Sequence, residues 1–508
     1  MLHRIRNTTH RLYGLAENVP IRKLRTLIVA VVVISKAFIA WYTINQSYLS
    51  EVPGTFALCS GDCSSYLDPI EHLVDRGSYS PDYRMPGYGA IYLPLYLAFP
   101  KAMALNVLVL FQLLIDVVAS ILLIEAVRIL TNSNTGALLA LLFYGIACTV
   151  SVYGKFVLTE TIAASFMAIA IHATARYAAT GRPVHLFVAS LFLTWAYFCR
   201  PVLFPLFMLL ACYALWSVFR GRKLAGLIML LLPFAVVQSA WTLRNYLMYD
   251  QVVLLTRTLY YPTYTDSQVA SFAFHGTFAD FKDSYIFPDR DWMNRSTKLR
   301  NVDEVPFPER AYTPYFTEDS VLELRRLARA LVQDTLPAQE HAVLDGLVAA
   351  KLDRYSASIR KEHWFLVHVR VPVERSLQEL LGSSGVQALN MKVFGELTSP
   401  EKALKLIYVL IYQLALYGSI GYVVLTIVRR ATAVRWFLAA SCLYGMLVHP
   451  ILLHTSDPRY FYGFYPLVAV SGSLFWAGVV KRLAGGGPGH GDPAAGQALP
   501  GQGDPRSV

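Results

Sequence analysis

Apolar stretches of about 18 residues or more recur along this 508-residue chain, and no other feature limits its fold so strongly. A helix of that length matches the hydrocarbon thickness of a bilayer. By hydropathy the stretches fall near 24–46, 104–127, 136–153, 157–175, 184–199, 202–219, 224–243, 403–427, 433–451 and 460–480. Helices are the expected spanning form, because lipid offers no partner to an unpaired backbone group. The hydrophobic fraction of 55% against 16% charged residues, with mean hydropathy +0.42, is too apolar for a soluble chain of this length. The expected fold class is therefore an all-α polytopic membrane bundle of about 10–12 spans. The first stretch is too long for a signal peptide and lacks a small-residue cleavage site.

Basic residues set the orientation. Arg4, Arg6, Arg11, Arg22, Lys23 and Arg25 precede the first stretch, and Lys481 and Arg482 follow the last. Arg176 and Arg182, then Arg220, Arg222 and Lys223, then Arg429, Arg430 and Arg435 occupy alternate short loops. The positive-inside rule makes that side cytoplasmic, with both termini there, in an inner membrane. The net charge of +11 is then mostly an orientation signal, with some attraction to anionic membrane lipids. It calls for no nucleic-acid partner. The run Tyr88–Pro100 is too short to span and would invert every later loop. It reads as a helix at the outer interface. His363–Leu380 mixes apolar and charged residues in the same way and reads as an amphipathic surface helix.

The chain divides into a transmembrane module at 1–246, an extracytoplasmic segment at 247–402, closing helices at 403–483 and a Gly/Pro-rich tail at 484–508, expected to be disordered. The first outer loop spans about 47–103 and holds Asp62, Tyr66, Arg84 and Tyr88. Lys155 and Glu160 lie in the next outer turn, Arg200 in the third, Arg244 at the end of the seventh span, and His449, His454, Asp457, Arg459 and Tyr460 in the last. Arginines and tyrosines also anchor helices at the interface, but carboxylates have no such use. Asp62, Glu160 and Asp457 on one face therefore point to a catalytic vestibule. A helix N-cap or solvated loop remains the ordinary reading of Asp62 taken alone.

The stretch GDCSSYLDPIEHLVDRGSYSPDYRMPGYGAIYLPLYL resembles the first external loop of polytopic glycosyltransferases of the GT-C class, which include aminoarabinose transferases and protein O-mannosyltransferases. LTET (158–161), WTLRNYLMYDQVVLLT (241–256) and DPRYFYGFYP (457–466) resemble them in order and spacing, so the likeness covers roughly residues 25–260 and 400–480. It implies inverting transfer of a sugar from a polyprenyl-phosphate donor to an acceptor outside the membrane, such as a glycolipid, an envelope glycan or a protein. Asp62, matching the first-loop acid, would be the base. Many members carry Asp-Glu here, whereas this chain has Cys63 in the second position.

The residues support such chemistry independently. The donor is already activated, so no nucleotide motif or other cofactor is expected, and a divalent metal stays open. Oxocarbenium character develops at the sugar. The leaving phosphate calls for Lys155, Arg200, Arg244 or Arg459. Glu160 is the second candidate acid. Tyr66, Tyr88, Tyr261 and Tyr460, with Arg84, are the candidates for substrate contact, among further outer tyrosines at Tyr83, Tyr260 and Tyr264. His449, His454 and Asp457 match no tight zinc spacing, so no metal site is assigned. Cys59 and Cys63 flank Asp62 and either pair or stand as free thiols. Asp116, with Gln112 and Ser120 on its face, reads as a contact inside the bundle. A polysaccharide polymerase or ligase, or a transporter of lipid-linked substrate, is the alternative. No internal repeat of the transporter kind is visible.

Overall fold

The computed structural model describes residues 2–45, 52–59, 62–256, 264–279, 285–287, 302, 305–332, 336–390, 392, 394–429, 431–454 and 457–485. Tyr260, Tyr261 and the tail beyond 485 lie outside them. The chain runs along α1 (Leu2–Glu17) and α2 (Ile21–Asn45), then through the short α3 (Cys63–Arg76) and α4 (Gly89–Ala98). A long hairpin follows, α5 (Lys101–Thr131) and α6 (Asn134–Ala140), the latter continuing by a wide turn over Leu141–Ile146. Next come α7 (Glu160–Thr180), α8 (Pro183–Cys199), α9 (Phe204–Phe219) and α10 (Ala225–Tyr249). The segment after α10 contributes α11 (Asp266–Phe278), α12 (Glu318–Val332), α13 (Ala338–Glu362) and α14 (Val371–Gly382). The chain closes with α15 (Val386–Leu389), α16 (Ser399–Val428), α17 (Ala433–Leu447), α18 (Pro458–Phe461) and α19 (Tyr465–Leu483).

This is an all-α polytopic membrane bundle. Nine helical segments among the described residues are long and apolar enough to cross a membrane. The 17-residue α8 is shorter, at about 26 Å by helical rise. It nonetheless packs along α7 and α10, and Arg200 just beyond it reaches Glu160 at the start of α7. It therefore traverses the same depth as α7. The helices run alternately up and down, so Arg182, Arg220, Arg222, Arg429 and Arg482 gather at one end of the bundle. The other end carries α3 and α4. The ten-residue α4 does not span; it packs on α3 and α5.

Polar groups inside the bundle satisfy irregular backbone. The wide turn after α6 leaves carbonyls without helical partners, which is costly in an apolar setting. Lys36 Nζ donates to Tyr144 O at 3.1 Å and to Ser151 Oγ at 2.6 Å, and lies 3.3 Å from Asp116 Oδ2. Ser151 Oγ donates to the same Asp116 oxygen at 2.6 Å. Gln112 Nε2 donates to Gly154 O and Phe156 O, each at 2.9 Å. Asp116 is thus a contact within the bundle, and its partner is a lysine from α2.

The segment between α10 and α16 has its own aromatic core, in which Phe274, Phe278, Phe307 and Phe316 pack with Tyr355. The His363–Leu380 stretch departs from a simple amphipathic surface helix. After α13 it forms a wide turn, Leu366–Arg370, and then α14. The charged Arg375 and Glu379 are buried, while Val373, Leu377 and Leu381 are exposed. Past α14 the chain enters the main bundle: Leu380 O accepts from Tyr412 of α16 at 2.6 Å, and Ser384 O accepts from Thr149 at 3.0 Å. A Cβ at Gly385 would lie 2.8 Å from Thr149 Cα, and its φ is +81°, so the close approach needs glycine.

Candidate active site at the α3 end of the bundle

Asp62 occupies the N-cap position of α3, yet its side chain makes no capping hydrogen bond. Its main-chain oxygen takes that role, accepting from Ser65 N at 3.1 Å and Ser65 Oγ at 2.5 Å. The carboxylate instead faces two guanidinium groups. Arg84 Nη2 is 3.7 Å from Oδ1 and Arg459 Nη1 is 3.5 Å from Oδ2, with all three side chains about one-third exposed. The disulfide Cys59–Cys63 closes a short ring around Asp62. Leu58 pairs with Phe156 in an isolated parallel bridge, which ties the loop to the turn before α7.

Arg84 is aimed by its own loop. Its Nε donates to Ser65 Oγ at 3.2 Å, and its guanidinium lies over the Tyr66 ring at 4.8 Å. Arg459 is aimed by the Asp-Pro-Arg-Tyr turn. Asp457 caps α18, accepting from Arg459 N at 3.0 Å, while its other oxygen takes Arg459 Nε at 3.1 Å. Proline at the first helical position suits that start.

A second acid–base pair lies beside the first and deeper. Arg200 Nη1 is 3.4 Å from Glu160 Oε1, with side chains 10% and 6% exposed. Arg200 also lies over the Tyr460 ring at 5.5 Å. Arg200 Nη1 and Glu160 Oε2 are buried without a hydrogen-bond partner among the described residues. Buried polar atoms are normally satisfied, so this pair keeps hydrogen-bonding capacity that its protein neighbours do not use. Loops that are far apart in sequence thus bring Asp62, Tyr66, Arg84, Glu160, Arg200, Asp457, Arg459 and Tyr460 together.

Other candidates sit elsewhere. Arg244 forms a separate cluster: Nη2 donates to Tyr79 O at 3.0 Å, Nη1 lies 3.5 Å from Asp82 Oδ2, and the Tyr79, Trp241 and Tyr249 rings surround it. It holds the loop that leads into Arg84, since Tyr79 OH donates to Arg84 O at 3.0 Å. Lys155 is buried and donates to Thr43 O at the end of α2. A cation there favours the helix C-terminus, and burial pushes its amine down to about 8. Tyr88 is fully buried and donates to Gln112 Oε1 at 3.1 Å, so it supports Tyr66, 5.4 Å away ring to ring, from below. Tyr261 lies outside the described residues.

His449, His454 and Asp457 are directed to different partners. His449 Nδ1 is 3.0 Å from Glu379 Oε1, and His454 Nδ1 accepts from Arg375 at 2.9 Å. Among the described residues no three His, Cys, Asp or Glu side chains cluster as metal ligands. Three further residues near these clusters were not among the sequence candidates. Lys36 was visible as a lone charge in an apolar stretch. Glu379 and Asp82 lay in charged surroundings and had no distinguishing signal.

No family model matches the sequence, and no curated relative does. Among solved structures, the archaeal oligosaccharyltransferase AglB from Archaeoglobus fulgidus, in complex with an inhibitory peptide and a dolichol-phosphate, aligns at 12% identity and TM-score 0.43. That alignment covers 94% of this chain and 52% of AglB. The Archaeoglobus fulgidus oligosaccharyltransferase tethered by a disulfide to an acceptor peptide with the NVT sequon aligns at 13% identity and TM-score 0.44, over 90% of this chain and 50% of its own. This chain spans about half the length of the structures it matches.

Proposed function

We propose that this protein is an inverting glycosyltransferase of the GT-C type, taking a sugar from a polyprenyl-phosphate donor to an acceptor outside the membrane. The observation that carries the reading is the meeting of Asp62 with Arg84 and with Arg459, the latter 397 residues away, beside the buried Arg200–Glu160 pair. A carboxylate that forgoes its capping bond, set among arginines at a membrane-proximal rim, suits two tasks at once.

The reaction is a single displacement. The acceptor oxygen bonds to the anomeric carbon as the bond from that carbon to the phosphate oxygen breaks. The acceptor proton passes to an Asp62 oxygen, and the bonding pair leaves with the phosphate. Arg459, Arg84 and Arg200 bind that phosphate through charge-assisted hydrogen bonds. They do so in a partly dehydrated rim, where such bonds are stronger than in water. Glu160 fixes Arg200 and offers an acceptor oxygen to sugar hydroxyls. Tyr66 and Tyr460, already stacked on guanidinium groups, hold Arg84 and Arg200 in place and offer their hydroxyls to the sugar. Both termini are placed in the cytoplasm and the α3 end outside, because the arginine-rich loops share the opposite end.

Binding comes first as a test. Purified protein in nanodiscs should bind polyprenyl phosphate, and inorganic phosphate should compete only weakly. Absence of binding would remove the reading. Reporter fusions at Lys223 and within α13 should report opposite sides of the membrane; the same side for both would overturn the topology and the site with it.

A further inference from the structure

The helix α14 is inside out for a surface helix. Arg375 and Glu379 are four residues apart and share a face, and that face is the buried one, at 2% and 0% exposure. Both reach the loop that carries Arg459. Glu379 Oε1 packs 3.0 Å from His449 Nδ1, a close contact without hydrogen-bond geometry. Arg375 Nη1 donates to His454 Nδ1 at 2.9 Å, and its Nη2 donates to Gly276 O of α11 at 2.6 Å. Burial and the nearby Arg375 hold His454 below the usual imidazole range, which suits it to accept that bond. A third grip follows at once, where Ser383 Oγ donates to Pro458 O at 3.3 Å.

The grip continues into the site. The His449 ring packs 5.4 Å from Tyr460, and the Tyr460 ring lies under Arg200. Burying ionic groups is a weak source of stability, because desolvation offsets the attraction. Its better-attested use is to select one arrangement among several.

We propose that Glu379 and Arg375 are positioning residues: through His449 and His454 they hold the 457–460 turn in the arrangement that presents Arg459 and Tyr460 to the donor phosphate, so that the outer helical segment governs donor affinity. This rests on the glycosyl-transfer reading for the identity of the anion, whereas the mechanical coupling stands on the geometry alone. An acceptor that settles on α11 and α14 would reach the donor site by this route.

The experiment pairs hydrogen exchange with binding, on the full chain in nanodiscs. In Glu379→Gln, amide protection over 457–464 should fall about tenfold while protection in α7 is kept. Affinity for polyprenyl phosphate should weaken roughly 3- to 30-fold, the range for mutations along a coupling path. In turnover the donor KM should rise and the acceptor KM stay the same. His449→Gln removes the other end of the contact and should reproduce both effects, which covers a Glu379→Gln protein that does not fold. Asp345→Asn is the control. It removes the carboxylate that accepts from Asp266 N and Ser267 at the start of α11, away from α14, and should move neither measure. Unchanged protection over 457–464, equal loss in Asp345→Asn, or lost protection with unchanged affinity would each overturn the coupling. A wild-type protein that does not bind polyprenyl phosphate would overturn the glycosyl-transfer reading instead, and the exchange data would still judge the strut.

Discussion

Two acid–base clusters in this protein use the same chemistry to opposite ends. Lys36, Asp116 and Ser151 meet inside the bundle at 2.6–3.3 Å, almost wholly shielded from solvent. Asp62, Arg84 and Arg459 meet at the rim at 3.5 and 3.7 Å, about one-third exposed. The inner cluster satisfies an irregular stretch of backbone, and its groups are closed to ligands. The outer pairs are loose and wet, a geometry worth about 0–1 kcal/mol to stability. Stability does not explain why two loops far apart in sequence bring them together. The contrast separates a buried cluster that satisfies irregular backbone from a looser one left open to solvent at a rim.

The sharpest way to break that contrast is to remove charge from each cluster in turn. Asp62→Asn keeps the shape and loses the base, so transfer should fall about 10²–10⁴-fold with folding and donor binding retained. Transfer near the wild-type rate would move the base to Glu160. Lys36→Met should do the reverse. Leaving Asp116 buried and unpaired should cost about 3–5 kcal/mol, read as a lower unfolding midpoint in detergent. Lys36→Met with Asp116→Leu should recover much of that loss. A single variant as stable as wild type would refute the structural role.

Smaller effects refine the outer cluster. Arg459→Lys keeps the charge but loses the planar fork, which spans Asp62 and Asp457 at once. Transfer should drop about 10- to 100-fold, in line with one charge-assisted hydrogen bond. An unaltered rate would take Arg459 out of the site. Replacing Cys59 and Cys63 by serine opens a ring with sequence separation 4. Loop closure of that size is worth about 2 kcal/mol. The midpoint should fall modestly, and activity should fall because Asp62 sits inside the ring. Full activity in the double serine variant would mean that the bridge to Phe156 alone is enough to place the loop.

Much of the site was legible because its parts lie at span ends. Hydropathy locates those ends, and basic loops sort them by side, so Asp62, Glu160, Arg200 and Arg459 could be named as neighbours of one face. Which of them touch was not legible. Lys155 and Arg244 belong to the same face, yet one caps α2 and the other holds the Tyr79–Asp82 loop. Tyr88 read as a candidate for substrate contact and lies in the core, its hydroxyl bonded to Gln112. Polarity alone does not tell a rim residue from one folded inward by its own loop.

The sequence by itself determined the class of solvent, most of the helices apolar enough to cross it and the span ends at which acids collect. These follow from transfer free energies and loop charge, which act residue by residue along the chain. Tertiary structure alone decided that Asp62 leaves its helix cap for Arg84 and Arg459, that Asp116 pairs with Lys36, and that α14 turns its charges inward to His449 and His454. Each of these joins groups from separate segments through directional contacts of a few ångströms. A contact of that kind depends on where two segments come to rest, and no local pattern in either one encodes it.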